Sequence, residues 1–238
     1  SGLQAAGQPA AASAFARQQL AIHGQYPALA VRVLLALCNI HYELADLSSL
    51  QGAATVFGEM AQRTNWGLSV AWATYTQSWL HYQRNELAAA EQGFRTLESI
   101  VSHGRTTVDS FTGLALTLLA QGRPDEALAA VAALQTRLVE RGMLAMAPLA
   151  ESLRQRVLLA SDPAAALARG YRPPAAPISI EFWEQPALTQ VRMLLASGAA
   201  HELAQAEALL AERRAQAAAR DSRRSLIEID ALHALALA

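Results

Sequence analysis

The chain is 238 residues long, 53% apolar and 16% charged, with a formal net charge of −1. Those values exclude a disordered polyelectrolyte and give no electrostatic reason to seek nucleic acid or an anionic membrane. All 19 basic residues are arginine, so the sequence holds neither a P-loop lysine nor a Schiff-base lysine.

Ala and Leu dominate while Val, Ile and Thr are sparse, which is a helical composition. Residues 1–10 read as a linker without the basic and apolar regions of a signal peptide. Residues 11–238 read as a single helical-repeat domain. No apolar run reaches the roughly 18 residues of a membrane span, and the lone Cys38 permits no internal disulfide. A cytoplasmic protein is the expectation. The start lacks Met and "IEIDALHALALA" stops in mid-pattern, so a fragment of a longer protein is expected too.

Gly, Pro and Asn punctuation divides the rest into helices. In chain order they are Ala11–His23, Ala28–Asp46, Ser48–Arg63, Gly67–Arg84, Glu86–His103, Val108–Gln121, Pro124–Arg141 and Leu144–Ala160. A short helix follows at Pro163–Ala168, then Phe182–Ser197, Ala200–Ala219 and Ser222–Leu237. Pro124 and Pro163 suit first-turn positions, where a missing N–H costs nothing.

Ala53, Ala90 and Ala127 recur at a 37-residue interval. Each is followed four residues later by a large apolar residue, Phe57, Phe94 or Val131. A small residue lets two helices approach closely and the bulky one fills the gap to the next pair. Stacked helix pairs of this kind form tetratricopeptide-like solenoids, whose unit is about 34 residues. The fold expected is therefore all-α: an α-α superhelix of about five to six helix pairs. The fourth unit has a truncated second helix.

The searched chemical motifs are incomplete. "HELAQ" at 201–205 has Gln205 where a zinc-protease helix needs its second histidine. "GLSVA" at 67–71 imitates a nucleophile elbow but follows no strand. Glu181 and Glu184 sit at a helix start, where carboxylates favour the dipole. The six histidines form no cluster. No catalytic residue, metal site or cofactor is expected, and no enzyme. The arginine-rich run "ERRAQAAARDSRRS" lacks interleaved aromatics and reads as a solvated corner or a face for another domain.

One stretch stands out. "WATYTQSWLHYQ" places Trp72, Tyr75, Trp79 and Tyr82 on one helical stripe. With Asn85 at the inter-helix turn, this is the first helix of its pair, on the concave side. The same frame brings Cys38 and Tyr42 from the preceding unit alongside, and Asp109, Thr112 and Leu116 from the next. Two readings are open. The rings line a groove that stacks on a sugar or holds an apolar side chain, or they fill the space between adjacent first helices.

"GYRPPAAPISIEFWEQPALTQVRMLLASG", followed by "LAQAEALLAERRAQAAARDSRRSLIEIDALHALAL", resembles the helical-repeat region of the large ATP-binding LuxR-type transcriptional regulators, the MalT-like group. The resemblance lies in Trp-Glu-x-Pro-x-Leu-Thr, a helix ending in Gly, an Ala/Leu-rich helix, and Arg-Arg-x-Leu-Ile-Glu-Ile, over residues 170–238. It implies a sensor domain that binds a small-molecule inducer, a sugar among the candidates, or a regulatory protein. It also implies contacts with other domains of the same chain and control of homo-oligomerisation. The charge, the lack of a DNA-reading module and the lack of a membrane span give the further expectation of no direct nucleic-acid or membrane contact. It carries no residue-level ligand motif. The competing expectation is a stand-alone tetratricopeptide-like scaffold for a peptide or protein partner.

With no P-loop lysine and near-neutral charge, this chain is expected neither to hydrolyse ATP nor to shift duplex DNA sequence-specifically at physiological salt. Saturable ATPase activity that persists through purification would contradict this, as would a sequence-dependent mobility shift.

Overall fold

The computed structural model describes residues 8–100, 105–174 and 183–237, and every regular element among them is helical. We label the α-helices α1 (Pro9–His23), α2 (Pro27–Glu43), α3 (Leu47–Thr64), α4 (Gly67–Gln83), α5 (Leu87–Ile100) and α6 (Arg105–Ala120). The second half holds α7 (Pro124–Glu140), α8 (Ala147–Ser161), α9 (Pro163–Arg169), α10 (Pro186–Ser197), α11 (Ala200–Ala219) and α12 (Arg223–Ala236). A 3₁₀ turn at Leu144–Met146 leads into α8. The expected ends at His103 and Phe182, and Glu181, lie outside the described residues.

The turns that close α2, α4, α6 and α11 share one device. A left-handed residue follows the helix: Ala45, Asn85, Gly122 or Asp221. Its N–H and the next one turn back to carbonyls of the last turn, as when Asn85 and Glu86 donate to Tyr82 and His81. This is the Schellman arrangement, which satisfies carbonyls the helix leaves open. Helix starts are fixed as locally. The Asp46 carboxylate accepts the Ser49 N–H and Asp162 accepts that of Ala165, both at 3.0 Å, and proline occupies the first turn of several helices.

The repeat register differs from the sequence expectation in its first unit. The fourth, eighth and eleventh residues of α3, α5 and α7 pack inward: Leu50, Ala54 and Phe57; Ala90, Phe94 and Leu97; Ala127, Val131 and Leu134. Ala90 and Ala127 are therefore equivalent to Leu50, whereas Ala53 is only half-buried. The first unit is longer than the second, because its turn falls at Ala45. The start of α10 differs as well. The helix begins at Pro186 rather than near 182, and Gln185 before it is extended (φ −118°, ψ 99°), as a residue preceding proline prefers.

Each helix packs on its sequence neighbours, and a second set of contacts orders the pairs. α2 touches α4, α4 touches α6, α6 touches α8, α8 touches α10, and α10 touches α12. α12 then returns to α2. The even-numbered helices thus form a closed inner ring, with the odd-numbered helices packed around it. The protein is an all-α helical-repeat superhelix of five pairs, α2/α3 to α10/α11, flanked by α1 and α12. Among the described residues, no helix is long and apolar enough to cross a membrane.

Helices approach closely where glycine meets a side chain of its neighbour. A Cβ at Gly113 of α6 would overlap the Phe94 ring of α5. That ring is fully buried and meets Trp79 edge-on at 5.0 Å. Gly113→Ala is expected to cost about 1–3 kcal/mol from overpacking, and the penalty should shrink in a Phe94→Leu background. Urea denaturation of the four combinations measures this. An unchanged penalty would refute the close approach as its cause.

Candidate functional site

The aromatic stripe of α4 faces the inner ring and divides by depth. Tyr75 and Trp79 are buried, 4% and 2% exposed, while Trp72 and Tyr82 are half-buried. The group that covers them comes from far along the chain. Trp183, just before α10, stacks parallel on Trp79 with centroids 3.3 Å apart and planes within 2°. Its indole N–H donates to the Tyr75 hydroxyl at 2.5 Å, and that hydroxyl donates to Asp109 Oδ2 at 3.0 Å. Tyr42 of α2 tilts against the other side of Trp183 at 4.0 Å. Such pairs contribute about 0.5–1.5 kcal/mol each beyond the area they bury.

Charged groups extend the constellation toward α12. Glu184 is buried; one carboxylate oxygen accepts the Ser152 and Thr189 hydroxyls, both at 2.6 Å, and the other accepts Arg156 at 3.2 Å. Its role is to hold α8, α10 and the Trp183 segment together, rather than to favour a helix dipole as the sequence suggested. Glu228 of α12 accepts Arg192, with Arg156 and Arg224 at 3.9 and 3.8 Å. Arg224 reaches back to Glu43 of α2 and lies over the Tyr42 ring at 5.0 Å; Ser222 donates to the same Glu43 carboxylate. These contacts close the ring.

Burial shifts the titrations as expected of such a site. For Glu228, burial alone would raise the carboxyl, but Arg192, Arg156 and Arg224 outweigh it and hold it below the ordinary range. For Arg192, burial lowers the guanidinium and the neighbouring Arg156 adds to the effect. Burial raises the Tyr82 hydroxyl. Burial also pushes the Cys38 thiol up to about 12, so it packs as a small apolar group.

Inside the ring, where the C-terminal ends of α2 and α4 meet α12, lies a cavity of about 410 Å³. Its aromatic wall is Tyr42, Trp79, Tyr82 and Trp183; its polar wall is Gln83, Arg156, Arg224 and Glu228. Of the residues placed on the concave face from sequence, Tyr42, Trp79, Tyr82 and Leu116 line it. Trp72, Tyr75, Asp109 and Thr112 do not: the last three are buried, and Trp72 meets Tyr75 edge-on at 5.4 Å. Cys38 abuts a small void behind Trp79. The sequence reading missed Trp183, Arg156, Arg224 and Glu228. A signal existed for the last pair, since Arg224 and Glu228 are one helical turn apart.

No group of His, Cys, Asp and Glu among the described residues is arranged to hold a metal ion. No protein-family model, curated protein or solved structure matches the chain.

The folded state holds Glu228 below its ordinary value of 4.5, so its stabilising contribution is complete above that value. The contribution drains away as pH falls below it. Glu228→Gln is expected to cost roughly 1–3 kcal/mol at neutral pH, less than breaking a fully buried pair, because the carboxylate keeps 25% exposure. Between about pH 5 and 3 the variant's stability should fall less steeply than the wild type's. Denaturant unfolding across that range checks both statements, and parallel pH profiles would refute the role of Glu228.

Proposed function

We propose that this chain is a ligand- or protein-binding sensor domain of a bacterial ATP-dependent LuxR-type transcriptional regulator of the MalT-like group. The observation that carries the reading is the cavity's position. It sits where the two ends of the inner ring meet, with Tyr42 of α2 and Arg224 and Glu228 of α12 in its wall. A small molecule there touches both sides of the closure contact at once. Binding can therefore favour the closed or the open ring by whatever difference in affinity it has for the two.

The volume supports a small ligand, since such sites run from about 300 to 1,000 Å³. The wall does too: flat apolar surface with a few polar groups fixes both affinity and orientation. The arrangement offers no nucleophile paired with a base, so regulation by binding fits it better than catalysis. The resemblance over residues 170–238 supplies the assignment to a transcriptional regulator, and that region contributes Trp183, Arg224 and Glu228 to the wall.

Two measurements and the flanking coding sequence test the proposal. Titration of the chain with a panel of sugars and other small metabolites should quench or shift tryptophan emission, because Trp79 and Trp183 lie in the cavity wall. A bound ligand should also change amide exchange at residues 222–228, across the closure. The coding sequence around this chain should specify a P-loop ATPase before it and a helix-turn-helix after it. A ligand that leaves residues 222–228 unaffected, or a coding sequence without those modules, would count against the regulator.

A further inference from the structure

Resting on the reading of the cavity as a ligand site, the structure assigns a chemical class to the occupant. We propose that it holds a small organic anion, with its charged group between Arg156 and Arg224 and a flat apolar body against Tyr42, Trp79 and Tyr82.

The argument begins with donors and acceptors at the polar wall. A guanidinium carries five N–H donors and no acceptor. Arg156 spends one on Glu184 at 3.2 Å, and its other nitrogen stands 3.9 Å from Glu228, beyond hydrogen-bond reach. Arg224 donates a hydrogen bond to the Tyr42 hydroxyl; it stands 3.8 Å from Glu228 and 3.5 Å from Glu43, and its bond to Ser225 is stretched to 3.5 Å. The Arg224 Nε–H, 3.5 Å from Glu43, and the Trp79 indole N–H are buried out of reach of a ligand in the cavity, so the donors open to one are the terminal nitrogens of Arg156 and Arg224.

Acceptors are fewer than donors on the same wall. One Glu228 oxygen accepts Arg192 and the other stands 3.8 Å from Arg224, and Gln83 adds one amide oxygen. Glu184 is engaged on both oxygens, and Glu43 accepts Ser222; neither lines the cavity. The ionised groups in the lining are Arg156, Arg224 and Glu228; with Arg192, Glu43 and Glu184 behind them the charges balance, so the excess is of donors. A ligand that brings oxygens pairs with terminal guanidinium donors that have no protein acceptor, where a further donor cannot. A carboxylate matches a guanidinium fork, as does a phosphate. The uncharged part of the lining, with Leu116, the half-buried Tyr82 and the edges of Tyr42 and Trp79, is apolar, which favours a flat apolar body over a chain of hydroxyls.

The test uses two probes of one shape on the full chain: 2-naphthoate and its neutral amide, 2-naphthamide. Calorimetry should give 2-naphthoate at least about tenfold tighter binding, a preference that narrows between about 50 and 500 mM salt as screening grows. 1-Naphthyl phosphate, read in the same way, tells carboxylate from phosphate preference, and either supports the anion seat. Arg224→Gln should narrow the acid-to-amide ratio. The comparison on the unaltered protein stands without that variant, should the substitution loosen the ring.

Equal affinity for acid and amide overturns the anion seat, while leaving the cavity as a ligand site. Binding of neutral sugars without binding of either naphthyl probe overturns it in the same limited way. Failure of every small molecule, with closure unaffected by any of them, removes both this inference and the sensor reading beneath it.

Discussion

Trp183 determines what kind of superhelix this is. A row of helix pairs ordinarily leaves its concave side as an open groove, because each pair contacts only its neighbours. Here an indole from the segment before α10 enters that groove, stacks flat on Trp79 and is fixed by a hydrogen bond to Tyr75. The groove residues that would otherwise face water become interior, and Trp183 belongs to the same apolar core as α2 to α8. The second half of the chain has a separate, smaller core of its own, centred on Leu188, Val191, Ala206 and Leu210. Trp183 ties the second half to the first, and with that tie in place α12 lies against α2.

The closure then has to accommodate charge. Arg156, Arg192 and Arg224 meet Glu43, Glu184 and Glu228 where the ring ends join, and most of these side chains are largely removed from solvent. Buried ion pairs give little net stability over apolar packing of the same shape, because desolvation offsets their attraction. Their value lies elsewhere. A greasy joint would tolerate sliding, whereas Glu43 accepting Ser222 beneath Arg224 fixes one register for α12 on α2. The remaining donors of Arg156 and Arg224 are what give the cavity, on the anion reading, its chemical selectivity.

How much of this was legible in the sequence follows from the range of each contact. Helix boundaries were readable because their causes are local: Asn85, Gly122 and Gly142 take left-handed turns, and Pro124 and Pro163 begin helices. Ala45 takes the same conformation with no side-chain signal, costing about 1–2 kcal/mol that the turn's hydrogen bonds offset. Its silence hid the longer first unit and led to Ala53 being matched with Ala90. The aromatic stripe was readable from helical spacing, and so was its direction, since Tyr42, Trp79, Tyr82 and Leu116 do line the inner space. Its depth was not, because Trp79 is covered by a residue more than a hundred positions later. Ring closure likewise depends on the sum of small rotations along the stack, so nothing near Arg156 or Glu228 announces that they share a wall.

On the proposed sensor reading, this geometry would also couple the cavity to the surface. The cavity wall and the closure share residues: Arg224 lines the space and pairs with Glu43, and Glu228 lines it while accepting Arg192. A ligand that recruits Arg224 competes with Glu43 for the same guanidinium, whereas one that bridges Arg156 and Arg224 reinforces the join. The sign of the response therefore depends on which guanidinium donors the ligand takes, and its size is limited to the difference in affinity between closed and open rings. Coupling factors of roughly 5–150 correspond to 1–3 kcal/mol, and one charge-assisted hydrogen bond gained or lost lies in that range. No rearrangement has to travel through the outer helices. The α2–α12 contact is the edge of the cavity and, on that reading, the part of the ring that a neighbouring domain would sense.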